Sequence, residues 1–242
     1  PARGTITRNY TFPFQDRSVT ITGSVETAVY NGAKNGEKAA VMNREGIDRS
    51  AWGPGYFRAF VNDERQEALY ASLIASFRQV RAETGLSDDE YLDLMAVFVQ
   101  SLEYDTEGAE DIENGNRFPV ETFVDGKGVC GDKSLLLAGL LSREGYDVAL
   151  LLFEPEKHMA VGIRSSRDGY RNTSYAYIET TRLSYVGIVP DNLAGGIVLT
   201  SMPQLIPVGN GWKGYAATPQ TMYIRNQSWI LKDRILSLES RL

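Results

Sequence analysis

Hydrophobic residues recur along this chain with two different spacings, which separate predicted strands from predicted helices. Near the N-terminus, valine and isoleucine alternate with threonine through 19–29, and this period of two predicts β structure within residues 1–32. The pattern of 33–61 is mixed, and its Trp-Gly-Pro-Gly-Tyr stretch at 52–56 predicts a tight loop. We therefore expect residues 1–61 to form an N-terminal β-rich segment that packs on the rest of the chain.

Two helices with apolar faces are predicted next. The first runs from about Asp63 to Glu83 and stops at Gly85. Its apolar stripe consists of Leu69, Leu73, Phe77 and Val80. The second begins with a capping box from Ser87 to Glu90, and its stripe consists of Tyr91, Leu94, Met95, Phe98, Val99 and Leu102. Both stripes are typical of helices that pack on a core.

The second half of the chain changes from helix to strands. A polar loop at 103–119 leads to a helix that begins near Cys130 and ends before Gly145. Three apolar runs follow, each short enough for a buried strand, at 148–153, 158–163 and 175–181. Sequential strands joined by short turns are usually antiparallel neighbours, so this order predicts an α+β fold. A loosely helical pattern covers 229–242.

Composition narrows the class of protein. With 43% apolar and 23% charged residues the chain is typical of a folded protein. No stretch approaches the ~20 apolar residues that a membrane helix needs. The net charge of −6 argues against nucleic acid or an anionic membrane as the main partner. One cysteine and one histidine exclude an internal disulfide and argue against a structural zinc site. Because the chain begins at Pro1, a removed N-terminal signal or anchor stays possible. The cellular location and the oligomeric state are not determined by the sequence.

The only cysteine, Cys130, lies where a Gly-rich turn runs into a helix. The turn is Asp-Gly-Lys-Gly-Val at 125–129, and the helical run contains Leu135, Leu136, Leu137, Ala138, Leu140 and Leu141. Cys130 is therefore predicted in the first turn of a helix, where unpaired backbone N–H groups and the positive end of the dipole stabilise a thiolate. A thiolate in such a place is a nucleophile at neutral pH. The alternative is a small buried apolar residue, which is what most free cysteines are.

Two later residues supply the other groups that a thiol nucleophile needs. His158 is the only imidazole and opens a predicted strand, and Glu179 lies near the end of the next one. In acyl transfer a thiolate attacks a carbonyl, an imidazole holds and returns the proton, and a carboxylate fixes the ring. Adjacent strands bring His158 and Glu179 within hydrogen-bond reach if both side chains lie on the same face. Taken singly, a histidine such as His158 more often has a structural role, and a glutamate such as Glu179 is more often a solvated carboxylate.

Three stretches in this order resemble the motifs of the transglutaminase-like superfamily. They are 128–141, which is similar to the nucleophile helix, 157–163, which is similar to the histidine strand, and 177–181, which is similar to the third motif. The third motif more often has an aspartate followed by Pro-Thr, and Glu179 resembles the archaeal-type members. With similar lead-in segments at 98–104 and 118–123, the resemblance covers about residues 87–182.

The resemblance implies a papain-like core, in which the cysteine helix packs on an antiparallel sheet that carries the histidine and the acid. It implies that Cys130, His158 and Glu179 form a catalytic triad. The chemistry would be thiol chemistry on amide carbonyls of a protein or peptide substrate, with no metal or other cofactor. Residues 62–242 would form the transglutaminase-like domain.

The sequence does not decide which residues bind the oxyanion or line the substrate cleft. Family members often place an upstream aromatic or amide side chain beside the backbone N–H of the cysteine, and Gln100 and Tyr104 are the candidates. The alternative for both is a polar cap at a helix end. Five aromatic residues could line a substrate cleft or simply pack, namely Tyr170, Tyr175, Tyr177, Trp212 and Tyr215.

The family that the motifs resemble includes protein-crosslinking transglutaminases, cysteine proteases and amidases, and members that have lost catalysis. Whether water or an amine takes the acyl group depends on how the site admits solvent, and no residue of the sequence decides this. We expect a cysteine peptidase or amidase. A protein-glutamine transglutaminase is the first alternative, and a non-catalytic peptide-binding module that uses the same cleft is the second.

Overall fold

The computed structural model describes residues 4–38, 49–109, 115–167, 169–193 and 196–217, together with 230–231 and 234–235. These residues form an α+β fold in which helices pack on antiparallel sheets. The fold class is the one that the order of helical and strand patterns predicts. No helix of the described ranges is long and apolar enough to cross a membrane.

The N-terminal segment begins with a hairpin of β1 (Thr5–Phe14) and β2 (Arg17–Glu26). Its inward residues belong to the main hydrophobic core: Phe12, Phe14, Val19, Ile21 and Val25. The strand pattern was expected to continue to Gly32, but α1 (Thr27–Asn35) follows β2 directly. The helix is favoured because Tyr30 and Lys34, one turn apart, both hydrogen-bond to the carboxylate of Asp125.

The tight loop predicted at 52–56 is wrong, because these residues lie within α2 (Arg49–Val61), with Pro54 inside the helix. Proline disfavours a helix interior locally, so tertiary contacts decide the conformation here. The ring of Phe60 lies 4.3 Å from that of Phe118, and Phe60 and Val61 are buried in the core.

The two amphipathic helices are confirmed as α3 (Glu67–Thr84) and α4 (Asp88–Ser101). A short 3-10 turn, Glu64–Gln66, precedes α3, and Gly85 ends it in the left-handed conformation, with φ of 72°. Ser87 and Glu90 form the capping box of α4 that the sequence predicts. The stripes face the core, with Leu69, Leu73, Phe77, Phe98 and Val99 fully buried.

The segment predicted as a polar loop contains short elements at both ends. β3 (Glu103–Tyr104) pairs in parallel with β4 (Lys127–Gly128), and α5 (Pro119–Asp125) lies between them in the chain. The pairing places Tyr104 opposite Gly128, two residues before Cys130.

The nucleophile-bearing helix predicted from the sequence is α6 (Cys130–Arg143), and it packs on a four-stranded sheet. The strands are β5 (Val148–Phe153), β6 (His158–Arg164), β7 (Tyr175–Ile178) and β8 (Gln204–Pro207). They lie in the order β7–β6–β5–β8, and every neighbouring pair is antiparallel. β8 is an addition to the three predicted strands. The helical pattern at 229–242 falls outside the described residues except for 230–231 and 234–235, which are helical.

The two faces of this sheet pack against different hydrophobic clusters. One face carries Val161 and Ile163 and belongs to the main core. The other face carries Phe153 and Tyr177 and forms a smaller cluster with Leu193 and Leu199 from the segment after β7. Because successive side chains alternate along a strand, His158, Tyr177 and Glu179 project on the side of this smaller cluster.

Candidate active site

Cys130 is the first residue of α6, as the sequence predicts, and its side chain is partly exposed. The first N–H groups of a helix have no acceptor within the helix, so they surround the sulfur with partial positive charge. The sulfur lies 4.0 Å from the carbonyl oxygen of Lys157, the residue before His158. The start of α6 and the start of β6 therefore meet at this point.

Asp132 holds the start of α6 in place. Its Oδ2 accepts a hydrogen bond from the Val129 N–H at 3.1 Å, and its Oδ1 accepts one from the Arg117 N–H at 2.8 Å. Asn116 also donates to Oδ1, and a Cβ on Gly131 would lie only 2.2 Å from the Asn116 Nδ2. Gly131 thus allows this segment to approach the backbone beside Cys130.

His158 is the first residue of β6 and is buried. Its Nε2 lies 3.4 Å from Oε2 of Glu179, and the Cys130 side chain is close enough to affect the pKa of the ring. Burial alone would lower the pKa of His158, but the hydrogen bonds and charges of Cys130 and Glu179 raise it to about 9. The structure thus brings together all three residues that the motifs implied.

Glu179 lies directly after β7 and is fully buried. Its Oε1 accepts hydrogen bonds from the N–H groups of Thr180 and Thr181, at 2.9 and 2.8 Å, and from the Thr181 hydroxyl at 2.7 Å. Its Oε2 accepts one from Tyr177 at 2.5 Å. Burial would raise the pKa of Glu179, but the hydrogen bonds of His158, Tyr177 and Thr181 and the charge of His158 lower it to about 2. The carboxylate is therefore ionised and has a fixed orientation.

Tyr177 contributes directly to this site, although the sequence suggested only a cleft or packing role for it. Its hydroxyl lies 3.2 Å from His158 Nε2 as well as 2.5 Å from Glu179. The period of two in the third strand was a usable signal, because it places residue 177 on the same side as residue 179. Of the other aromatic candidates, Tyr170 packs beside Tyr177, whereas Tyr175 and Tyr215 bind Asp147 and Asp93, and Trp212 is exposed.

Gln100 has a different role from the oxyanion ligand that the sequence suggested. Its Nε2 donates to the carbonyl oxygens of Glu179 at 2.8 Å and Ser184 at 3.0 Å. Both N–H bonds of the amide are used in this way, so none is left for a substrate oxygen. Gln100 instead ties the segment that carries Glu179 to the end of α4.

Tyr104, the other oxyanion candidate, lies on β3 and is half-buried. Burial and the nearby charges of Cys130 and Glu179 raise the pKa of its hydroxyl. The next residue, Asp105, is buried and pairs with Arg117 at 2.5 Å and with Lys127 at 3.0 Å. These ion pairs fix the strand that carries Tyr104.

Lys133 lies one turn after Cys130 on α6 and is fully buried. Its ammonium donates to the carbonyl oxygens of Leu102 at 2.8 Å and Gln100 at 3.4 Å. Burial lowers the pKa of Lys133 to about 8. The contact joins α6 to the end of α4, from which β3 continues. Nothing in the sequence distinguishes this lysine from a solvent-exposed one.

The site residues are not arranged for metal binding. Within the described ranges, no three side chains of His, Cys, Asp and Glu come together in a way that could hold a metal ion. What the arrangement does provide is a thiol beside an imidazole and a buried carboxylate.

Comparison with known proteins assigns no family to this chain. No protein-family model matches the chain, and no curated protein matches it. The crystal structure of a TGase is 13% identical with a TM-score of 0.33, over 79% of this chain and 48% of that one. A cysteine protease candidate from Cytophaga hutchinsonii is 11% identical with a TM-score of 0.32, over 88% of this chain and 81% of that one. The match spans about half the length of the TGase.

Proposed function

We propose that this protein catalyses thiol-dependent acyl transfer on amide or peptide bonds, as a cysteine peptidase or amidase. Cys130 is the nucleophile, and His158 is the general acid and base. Glu179 orients the imidazole ring and stabilises its protonated form. The observation that supports this is the buried imidazole of His158, which lies 3.4 Å from the buried carboxylate of Glu179 and whose pKa is raised by Cys130 as well as by Glu179.

The reaction proceeds in two halves. The Cys130 thiolate attacks the carbonyl carbon of the substrate, and the C–N bond breaks as His158 gives its proton to the leaving amine. The product of this half is a thioester between the acyl group and the sulfur. Water then attacks the thioester while His158 takes its proton, which releases a carboxylic acid and restores the thiolate–imidazolium pair.

The oxyanion of each tetrahedral intermediate needs donors near the sulfur. The backbone N–H of Cys130, at the start of α6, is one donor. The hydroxyl of Tyr104 is the second that we propose, since the pairing of β3 with β4 places this residue opposite Gly128, two residues before Cys130. Gln100 is excluded from this role because its amide protons are bound to two backbone carbonyls.

A transglutaminase would share the first half of this reaction and differ in the second. In that case a primary amine attacks the thioester in place of water, and a new amide bond forms. The substrate in either case is a protein or peptide, and the same triad serves both acceptors.

Alkylation of Cys130 distinguishes an enzyme from a non-catalytic binding module. The chain has one cysteine, so iodoacetamide reports on this sulfur without interference from another thiol. We expect His158→Ala to slow alkylation near neutral pH by about tenfold or more, because the thiolate loses its charged partner. Circular dichroism shows whether the variant is folded. Equal rates against pH in both proteins would remove the thiolate–imidazolium pair and favour the binding module.

A second experiment identifies the acceptor. A peptide library is incubated with the protein, with and without a primary amine, and the products are analysed by mass spectrometry. A peptidase or amidase gives free acids under both conditions, and Cys130→Ala gives no product. Amine adducts that increase with amine concentration would instead assign the transglutaminase reaction.

A further inference from the structure

We infer that Tyr177 is a positioning residue of the site: its phenol fixes the tautomer of His158 and shares the carboxylate of Glu179 with it. This inference rests on the proposed function, since it assigns a role in the same proton transfer. Tyr177 is 1% exposed, so its hydroxyl acts inside the protein and away from solvent.

The distances place the phenol oxygen between the ring and the acid. The hydroxyl of Tyr177 lies 2.5 Å from Glu179 Oε2 and 3.2 Å from His158 Nε2. The direct separation of Nε2 and Oε2 is 3.4 Å, longer than an ordinary N–H···O hydrogen bond. Glu179 therefore acts on the ring in part through the phenol.

The donors and acceptors of this network can be assigned. Burial and the charge of Glu179 raise the pKa of the Tyr177 hydroxyl, so the phenol keeps its proton at neutral pH. A phenol has one proton, and the ionised carboxylate can only accept, so Tyr177 donates to Glu179. The contact between Tyr177 and His158 then requires Nε2 to carry a proton and donate it to the phenol oxygen.

With Nε2 protonated and bound to Tyr177 and Glu179, Nδ1 is the nitrogen that exchanges a proton with the sulfur. The other tautomer would place a lone pair of Nε2 against acceptors and would put a proton between Nδ1 and the thiol. Tyr177 thus selects the neutral form of the ring that can act as a base toward Cys130.

Packing fixes the position of the phenol. The ring of Tyr177 makes edge contacts with that of Phe153, at 6.3 Å between centroids, and lies 5.9 Å from that of Tyr170. Tyr170 also provides a matched control. It belongs to the same apolar cluster, and its buried hydroxyl has no hydrogen-bond partner among the described residues.

The experiment uses the fact that His158 is the only histidine of the chain. Its ring gives one set of NMR signals, so its pKa and tautomer are measured without assignment of other residues. We expect Tyr177→Phe to lower the pKa of His158 by about one unit, because the imidazolium loses an acceptor in a charge-assisted hydrogen bond. We also expect the 15N shifts of the neutral ring to change from the Nε2–H form to a mixture of tautomers. Tyr170→Phe should change neither quantity.

The rate of Cys130 alkylation is measured on the same proteins. It separates the role of Tyr177 from the proposed function. If His158→Ala slows alkylation but Tyr177→Phe leaves the pKa, the tautomer and the rate unchanged, the role of Tyr177 is overturned and the proposed function stands. If His158→Ala has no effect on the rate, the proposed function fails, whatever the NMR signals of Tyr177→Phe show.

A second variant covers the case in which Tyr177→Phe does not fold. 3-Fluorotyrosine at position 177 keeps the ring and the hydroxyl but weakens the oxygen as an acceptor. It is expected to lower the pKa of His158 by a smaller amount than the loss of the hydroxyl would. An unchanged pKa and an unchanged tautomer in this protein would also overturn the role of Tyr177.

Discussion

His158 and Glu179 hold opposite charges 3.4 Å apart, and both side chains are withdrawn from water, at 6% and 0% exposure. A buried pair of this kind is strongly destabilised when one partner is lost, because the remaining charge has no counterion. The pair is therefore a source of pH-dependent stability as well as a feature of the proposed reaction.

We expect the pair to stabilise the protein most between about pH 4.5 and pH 6.5. The pKa of His158 is raised to about 9, so its contribution is complete below the ordinary value of 6.5 and is lost as the pH rises through about 9. The pKa of Glu179 is lowered to about 2, so its contribution is present above 4.5 and is lost as the pH falls through about 2. The free energy of unfolding in urea, measured over a series of pH values, tests both losses of stability.

The comparison protein for this measurement is Glu179→Gln. Near its optimum, the natural pair should give a free energy of unfolding about 1–3 kcal/mol above that of the variant, and the difference should shrink toward pH 9. Glu154→Gln, an exposed carboxylate on the adjacent turn, should follow the unchanged protein at every pH. A difference between the natural protein and Glu179→Gln that does not vary with pH would contradict the linkage.

Gln100 is expected to act on stability rather than on the oxyanion. Gln100→Leu leaves the carbonyls of Glu179 and Ser184 without their donor, which should lower the free energy of unfolding by about 1–3 kcal/mol. Gln79→Leu is the control, because Gln79 is exposed on α3 and should change stability by less than about 0.5 kcal/mol. A Gln100 variant with unchanged stability and a lower kcat would instead return this residue to the oxyanion site.

The elements that carry the chemistry follow from local signals in the sequence. A Gly-rich turn before a leucine-rich run is enough to place Cys130 at the start of α6. Alternation of apolar residues locates β5, β6 and β7, and the short turns between them make the strands antiparallel. The side on which Glu179 projects then follows from the period of two along a strand.

Other features depend on contacts between distant parts of the chain, which local patterns do not contain. Pro54 lies inside α2, whose Phe60 packs on Phe118 directly before α5, and β8 adds to the sheet although its sequence ends in Pro207. Lys133 is buried because two carbonyls at the end of α4 accept its hydrogen bonds. A charged residue in a helix is normally exposed, so the sequence pattern gives the opposite expectation.

Tyr104 is expected to affect the chemical step and not the reactivity of the sulfur. If its hydroxyl stabilises the oxyanion, Tyr104→Phe should lower kcat by about 10²-fold, the effect typical of a lost oxyanion donor. Alkylation of Cys130 by iodoacetamide forms no oxyanion, so its rate should stay within about twofold of the unchanged protein. Equal losses in kcat and in alkylation would show that Tyr104 acts through Cys130 instead.

Gly139 is expected to be essential to the position of α6, because it lies against the buried ring of Tyr70. A Cβ at residue 139 would lie 2.1 Å from the Tyr70 hydroxyl, and the Arg143 guanidinium covers that ring at 3.7 Å. Because Tyr70 is fully buried, Gly139→Ala should cost about 1–3 kcal/mol by overpacking. Gly32→Ala, on α1 with nothing within 4 Å of its Cβ, should instead gain about 0.5–1 kcal/mol from helix propensity. Thermal and urea unfolding measure both variants, and a stable Gly139→Ala protein with unchanged Cys130 alkylation would contradict this packing.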